Sequence, residues 1–212
     1  GAVDEPKDER RINKVTMPRL GGLAVIAGFF VSIVYLLIVM VMENKINLYE
    51  ESYNIKLLGF GLGALIIGVT CFIDDVKGVP ALGKLIAQVA AAVLVVKAGI
   101  RIDTLDIPFF NIANASPMFY AGLTVCWIVG ITNAMNLIDG LDGLSTGISL
   151  IACLSLLIIF SLNGSPLISI VLITALGGAL CGFLPYNFNP AKTFIGDTGS
   201  NFLGYCLSII SI

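Results

Sequence analysis

Long apolar runs alternate with short polar clusters along this chain, and that alternation restricts it to a membrane-embedded fold. The runs fall at about 21–42, 57–73, 82–99, 117–133, 146–162 and 166–185, with a partial one from about 199. Each complete run approaches the roughly 20 residues a helix needs to cross a bilayer. Backbone in lipid must satisfy its own hydrogen bonds, which leaves helices or a closed barrel. No period-two alternation supports a barrel. Only 12% of the residues are charged, against roughly 25% in soluble domains. The expected fold is therefore an all-α, polytopic integral membrane helical bundle of about seven spans, forming a single transmembrane domain over 1–212. The small-residue runs Gly59-Phe60-Gly61-Leu62-Gly63 and Gly177-Gly178-Ala179 suit close helix packing. The stretch from Asn201 to Ile212 is too short for a span, so truncation is expected at the C-terminus.

Several chemistries drop out early. There is no histidine, which excludes imidazole catalysis within these residues. The five cysteines lie in or beside apolar runs without CxxC spacing, so they read as small buried apolar residues. The opening GAVDEPKDERR mixes acids and bases and is no signal peptide. Neither a Walker lysine pattern nor GxGxxG is present, and no nucleic-acid partner is expected.

Alternating spans place residues 1–20, 74–81, 134–145 and 186–198 on one side. With Lys84, that side holds eight of the twelve basic residues; Lys45, Lys56, Lys97 and Arg101 lie opposite. The excess marks the motif side as cytoplasmic. The longest opposite loop, about 100–116, can form a short hairpin. Four helices should begin on the motif side, after Gly22, Pro80, Ser145 and Thr198. Each would aim backbone N–H groups and a positive dipole end at one face, which suits phosphate.

That face collects four clusters. Pro18-Arg19-Leu20-Gly21-Gly22 offers a cation beside flexible backbone, suited to phosphate; the plain alternative is a positive-inside anchor, and Lys192 shares that ambiguity. Asp74-Asp75 follow an apolar run directly. A metal, a base such as Lys77 or Lys84, or a raised pKa must offset their repulsion and desolvation. One acid could deprotonate an acceptor or help hold a divalent ion; the alternative is a wet acidic loop. In NAMNLIDGLDG, Asn133, Asn136, Asp139 and Asp142 recur every three residues. On a helix the last three span about 120° of arc, and Gly140 and Gly143 should break the helix there. Their oxygens could hold a metal or a polar ligand, or only cap and turn. In NFNPAKTFIGDTGS, Asp197, Thr198 or Ser200 can cap the next helix. Asp197 suits a hard cation, and Phe194 could stack on a flat ring.

MPRLGGLAV, FIDDVKGV with GKLIAQ, NAMNLIDGLDGL and YNFNPAKTFIGDTGSNFLG, in this order, resemble the polyprenyl-phosphate N-acetylhexosamine-1-phosphate transferases of the glycosyltransferase 4 type. The likeness runs from about Gly1 to Gly204, and the last two motifs are the most specific. It implies a single catalytic domain, truncated at both ends, in the bacterial inner (cytoplasmic) membrane with its active site facing the cytoplasm. Such enzymes move a sugar-1-phosphate from a UDP-sugar to a polyprenyl phosphate, typically undecaprenyl phosphate. They release UMP and require Mg²⁺, for which Mn²⁺ can substitute. The resemblance implies that Asp197, with Asn136, holds the metal. It makes Asp74 the acid that activates the lipid phosphate, with Asp75 beside it. Asn187 becomes a diphosphate contact, Asp142 and Phe194 contacts to uracil, and Lys84 a lysine near the phosphates. Asn136 and Asp139 fall in the catalytic loop, and Arg19 is counted with the substrate-binding residues. PRLGG and YNFNPAK favour the UDP-GlcNAc branch, which initiates O-antigen, common antigen or teichoic acid linkage, over the UDP-MurNAc-pentapeptide branch. A further helix before Gly1, and helices with a cytoplasmic loop after Ile212, are expected of family members. The 212 residues alone are expected to be inactive, and homodimers fit the family. The competing readings are an ion-coupled transporter using Asp74, Asp75 and Asp139, and an intramembrane aspartyl protease, which Asp197 fits poorly.

Overall fold

A computed structural model of the chain describes residues 3–4, 17–43, 51–104, 106–107, 110–111 and 116–212. Among them run seven helices: α1 (Gly21–Met42), α2 (Glu51–Lys77), α3 (Ala81–Lys97), α4 (Pro117–Ile138), α5 (Leu144–Asn163), α6 (Leu167–Asn187) and α7 (Gly196–Ile210). Five of these, α1, α2 from Asn54, α4, α5 and α6, are long and apolar enough to cross a membrane. The other two, α3 with 17 residues and α7 with 15, are shorter. The protein is an integral membrane helical bundle, with five span-length helices where the sequence suggested about seven. Two short antiparallel pairs complete it: β1 (Val3–Asp4) with β2 (Met17–Pro18), and β3 (Asp106–Ile107) with β4 (Phe110–Asn111). The second is the hairpin expected in the long loop; the first was not foreseen.

Helix ends depart from hydropathy in an informative way. Apolar character fades at about 73 and 133, but α2 continues to Lys77 and α4 to Ile138. Asp74 and Asp75 therefore lie on the last turn of α2, not in a loop, and Asn133 and Asn136 ride on α4. A helix can carry polar side chains into a membrane boundary when they find partners. Asn133 Nδ2, for instance, bonds back to Val129 O at 2.8 Å. The expected break is present: α4 stops at Ile138, and Gly143, at φ 71°, precedes α5.

The axis of the bundle is α7, in which every residue from Thr198 to Ile210 is buried. It packs against α1, α2 and α4, with α5 and α6 beside it. Two glycine contacts allow this. A Cβ on Gly22 would collide with the Gly199 backbone, and one on Gly204 would sit 2.5 Å from Thr132 Cα. Aromatic rings fill the adjoining space: Phe29 meets Phe202 edge-on at 5.4 Å between centroids. Tyr205 lies on Phe60 and donates its hydroxyl to Phe60 O at 2.8 Å. Val31, Leu65, Ile151 and Leu162 point outward as an exposed apolar belt suited to lipid. All five cysteines are free; Cys71, Cys153 and Cys206 are buried, and Cys126 and Cys181 are exposed.

Candidate functional site

The N-terminus of α7 lies where the N-termini of α1 and α3 meet the C-termini of α2 and α4. Four side chains from four helices touch there. Lys84 Nζ, on the first turn of α3, lies 2.7 Å from Asp74 Oδ2 and 3.0 Å from Asp197 Oδ2. Asn136 Nδ2, from α4, donates to Asp197 Oδ1 at 3.0 Å and to Ser200 Oγ at 3.0 Å. Asp74 Oδ1 accepts the Val79 N–H at 2.6 Å, which folds the turn between α2 and α3 back onto the acid. Of the two cations considered for the acidic pair, Lys84 is the partner.

Exposure ranks the three charges. The Asp74 side chain is 8% exposed, Lys84 21% and Asp197 34%. Asp197 is thus the acid most open to a ligand. Asp74 Oδ2 is buried, and its approach to the ammonium lacks hydrogen-bond alignment. A charged oxygen held this way retains unused acceptor capacity.

Asp75, one residue on, does something different. Its Oδ1 accepts Asp197 N–H at 3.0 Å; its Oδ2 accepts Thr198 N–H at 2.9 Å and Thr198 Oγ at 2.6 Å. The carboxylate of α2 therefore caps α7, meeting orphan amides at the positive end of that helix. Asp197, Thr198 and Ser200 were expected to cap α7 themselves, but α7 has no cap from its own side chains. Asp75, expected beside Asp74 as a catalytic acid, has both oxygens committed to this task.

The amides of α1 are likewise occupied. Gly21 N–H donates to Phe194 O at 3.1 Å and Gly22 N–H to Ile195 O at 2.8 Å, while Phe194 N–H returns to Pro18 O at 3.0 Å. The expectation that Gly21-Gly22 and the start of α7 offer free N–H groups to phosphate is corrected accordingly. These groups stitch the first and fourth clusters together. Arg19 lies half-buried in that seam, its carbonyl against Gly196.

The rim carries the remaining predicted residues. Asp142 Oδ2 accepts Asn189 Nδ2 at 3.1 Å and Ala191 N–H at 3.0 Å. Asn187 is buried; its Oδ1 accepts Thr146 Oγ at 2.7 Å and its Nδ2 donates to Thr193 O at 3.1 Å. Both residues shape the α6–α7 loop, which holds half-buried Phe194 and exposed Lys192. Asp139 follows α4 and accepts Ser145 Oγ at 2.5 Å. Burial pushes its carboxyl up to about 6, against the opposing pull of that hydrogen bond. The nearby charges of Asp197 and Asp75 raise it further, and Arg19 lowers it.

The structure thus joins Asp74, Lys84, Asn136 and Asp197 directly. Asp75 lies behind them as a cap, and Asp142, Asn187 and Phe194 form the adjacent loop. Sequence reading missed Gln88 and Asn201, both buried beneath this cluster. A lone carboxamide inside an apolar helix, four residues after a charged site residue, was the available signal.

Known proteins are similar to this chain over its whole length. Over all 212 residues the chain is 39% identical to a probable undecaprenyl-phosphate N-acetylglucosaminyl 1-phosphate transferase of Bacillus subtilis, of which it spans 55%. It is 37% identical, again over its whole length, to a phospho-N-acetylmuramoyl-pentapeptide-transferase of Staphylococcus haemolyticus, of which it spans 66%. A Staphylococcus aureus protein of the latter name is 35% identical. The chain matches glycosyl transferase family 4 over residues 57–212, a stretch that contains Asp74, Lys84, Asn136 and Asp197, and it belongs to that family.

Proposed function

We propose that the protein carrying this chain transfers a sugar-1-phosphate from a UDP-sugar to undecaprenyl phosphate, releasing UMP. The observation that carries this reading is the contact of Asp74, Lys84, Asn136 and Asp197 at one mouth of an apolar bundle. A membrane-bound phosphate needs such a place: charge at the mouth, with greasy helix surfaces alongside for its tail. The proposed donor is UDP-GlcNAc, and the mouth is proposed to face the cytoplasm, in keeping with the excess of basic residues on that side.

The physical task is to bring two anions together. An oxygen of the lipid phosphate attacks the β-phosphorus of the donor. The bond from that phosphorus to the bridging oxygen of UMP breaks, and UMP departs with the electron pair. Only P–O bonds change, so the sugar keeps its anomeric oxygen. Asp74, with its underused Oδ2, accepts any proton remaining on the lipid phosphate. Lys84, between the two acids, is placed to stabilise charge gathering on the transferring phosphoryl group. Phe194 offers a ring face to the uracil, and Arg19 adds positive charge at the mouth. Asp142 and Asn187 hold the loop that carries Phe194.

The donor set suits Mg²⁺. That ion binds through one or two carboxylates together with water and substrate phosphates, and hard oxygens of Asp197 and Asp74 converge on one ammonium here. Asp197, with Asn136 turned to present its Oδ1, would hold the ion, which would neutralise the diphosphate and the departing UMP.

The test is UMP release by the full-length protein in detergent, with undecaprenyl phosphate and UDP-GlcNAc, with and without Mg²⁺. Release that needs both lipid and metal is expected. The relatives at 35–37% identity supply the second reading, with UDP-MurNAc-pentapeptide as donor. Release from that donor alone keeps the reaction and changes the sugar. Release from neither, by folded protein, overturns the proposal.

A further inference from the structure

Beneath the charged cluster lies a second ring of polar side chains. Gln88 is four residues beyond Lys84 on α3, Asn201 four beyond Asp197 on α7, and Asn133 three before Asn136 on α4. Each therefore sits one helical turn deeper than a residue of the mouth, on the same helix. Gln88 and Asn201 are 3% and 0% exposed, and Asn133 is half-buried.

The three carboxamides form one connected network. Asn133 Nδ2 donates to Gln88 Oε1 at 2.6 Å. Gln88 Nε2 donates to Asn201 Oδ1 at 2.8 Å, with a longer contact of 3.4 Å to Asn133 Oδ1. Asn201 Nδ2 then donates to the backbone carbonyl of Asp197 at 2.9 Å. Each amide uses a donor and an acceptor, so fixing one orientation fixes the next. An amide left without partners among side chains as buried as Gln88 and Asn201 would be costly. Three apolar residues would avoid that cost and still pack, so packing alone does not call for these residue types.

We propose that Gln88, Asn133 and Asn201 are positioning residues, which set the spacing of Lys84, Asn136 and Asp197 by locking α3, α4 and α7 together one turn below them. This rests on the transfer reading above. Lys84 and Asp197 approach across the α3–α7 gap, and Gln88 and Asn201 span that gap next to them. A slip of either helix would alter the Lys84–Asp197 separation of 3.0 Å and the oxygens offered to a cation. Outer-shell partners of metal ligands typically change affinity or activity by roughly 10–100-fold when removed.

The experiment uses the full-length protein in detergent and the variants Gln88→Met, Asn201→Ser and Gln88→Met/Asn201→Ser. Mn²⁺ affinity is read by electron paramagnetic resonance, turnover by UMP release, and folding by elution profile and thermal midpoint. Gln88→Met keeps the bulk of the side chain and removes its hydrogen bonds to Asn133 and Asn201. Expected are about 10-fold weaker Mn²⁺ binding and about 10–100-fold lower kcat, with KM for the UDP-sugar within about twofold. The double variant should lose no more than the worse single one, because both break the same connection. Asn201→Ser retains a short donor that can bond back to Asp197 O, so it keeps the test alive if Gln88→Met does not fold. A folded variant with reduced thermal midpoint but wild-type kcat and Mn²⁺ affinity would reduce the network to helix glue and sink the idea. Wild-type protein without UMP release would instead overturn the transfer reading, and the Mn²⁺ comparison would still decide the positioning role.

Discussion

The two ends of α7 are built on opposite principles. At its N-terminus, acids from α2, a lysine from α3 and a carboxamide from α4 converge within hydrogen-bonding distance, and even the helix cap is lent by Asp75 of α2. At its C-terminus, the last turn of α7 meets α4 through a neutral side chain. Trp127 Nε1 reaches Ser208 O at 3.2 Å and Ser211 Oγ at 3.3 Å. A cavity of about 330 Å³ opens there among Lys56, Arg101, Phe160, Ser165 and Ile212. An ion pair at that end, Arg101 with Asp103, is exposed. Charges at the mouth hold one another and leave an acid facing outward, whereas Lys56, Lys97, Arg101 and Asp103 at the far end are exposed. Exposed pairs of that kind contribute little, so the proposed chemistry belongs with the mouth rather than the far end.

Substitutions that empty the mouth should have the largest effects. Asp197→Ala is expected to abolish metal-dependent UMP release, a loss of at least about 10²–10³-fold. Asp103→Ala at the far end should leave release within about twofold. Near-wild-type release by Asp197→Ala would erase the distinction between the ends. Next in size is Asp75→Ala, which strands the buried Thr198 N–H and hydroxyl and the half-buried Asp197 N–H. We expect destabilisation of about 1–3 kcal/mol, read as a lower thermal midpoint in detergent. Asp75→Asn should lose less, since one carboxamide oxygen still accepts. If Asp75→Asn retains stability but loses all turnover with a changed pH profile, Asp75 is acting on substrate, and the cap is only part of its role.

Among the described residues hydropathy alone located all seven helices, because lipid favours long apolar runs. It misplaced the helix ends at Asp74 and Asn133, where polar side chains continue the helix by finding partners on other helices. Those partners are distant in sequence: Asp75 meets Asp197 and Thr198, and Gln88 meets Asn201. Local spacing carries no trace of such pairings. The contact of Asp74, Lys84 and Asp197 was anticipated in its members, since charges beside apolar runs stand out and the family motifs name them. What could not be read was the division of labour between Asp74 and Asp75. Two identical neighbours differ only through the 100° turn of the helix between them, which aims one at Lys84 and the other at the end of α7. Gly21 and Gly22 invited a phosphate reading for a similar reason. Their N–H groups look free until the α6–α7 loop is folded onto them.

A smaller effect tests how dry the mouth is. Burial raises the Asp139 carboxyl from an ordinary 3.8 to about 6. The folded state therefore holds this proton more tightly than the unfolded chain. The group's contribution to stability is fully present below pH of about 4, falls as pH rises towards 6, and is flat above. Asp139→Asn should remove that slope. An infrared carboxyl band present at pH 5 and lost by pH 7 in the parent, and missing in the variant, would confirm it. Ionisation near 4 would mean that water reaches Asp139 freely, and the contrast with the wet far end would weaken.

The smallest expected change lies at that far end. Trp127→Phe keeps a ring against α7 but deletes the indole donor to Ser208 O and Ser211 Oγ. Trp127 is 43% exposed, so water or headgroups replace part of what is lost, and about 0.5 kcal/mol is expected, at the low end for a hydrogen bond. The effect should be local. Hydrogen exchange at Ser208 to Ser211 should quicken, exchange at Thr198 to Asn201 should not change, and UMP release should stay within about twofold. The reason is that α7 is clamped between these points by the Gly204 contact with α4 and the Tyr205 bond to Phe60. Quicker exchange at Thr198 would show that α7 transmits motion along its whole length. The two ends would then be one mechanical unit rather than an anchor and a site.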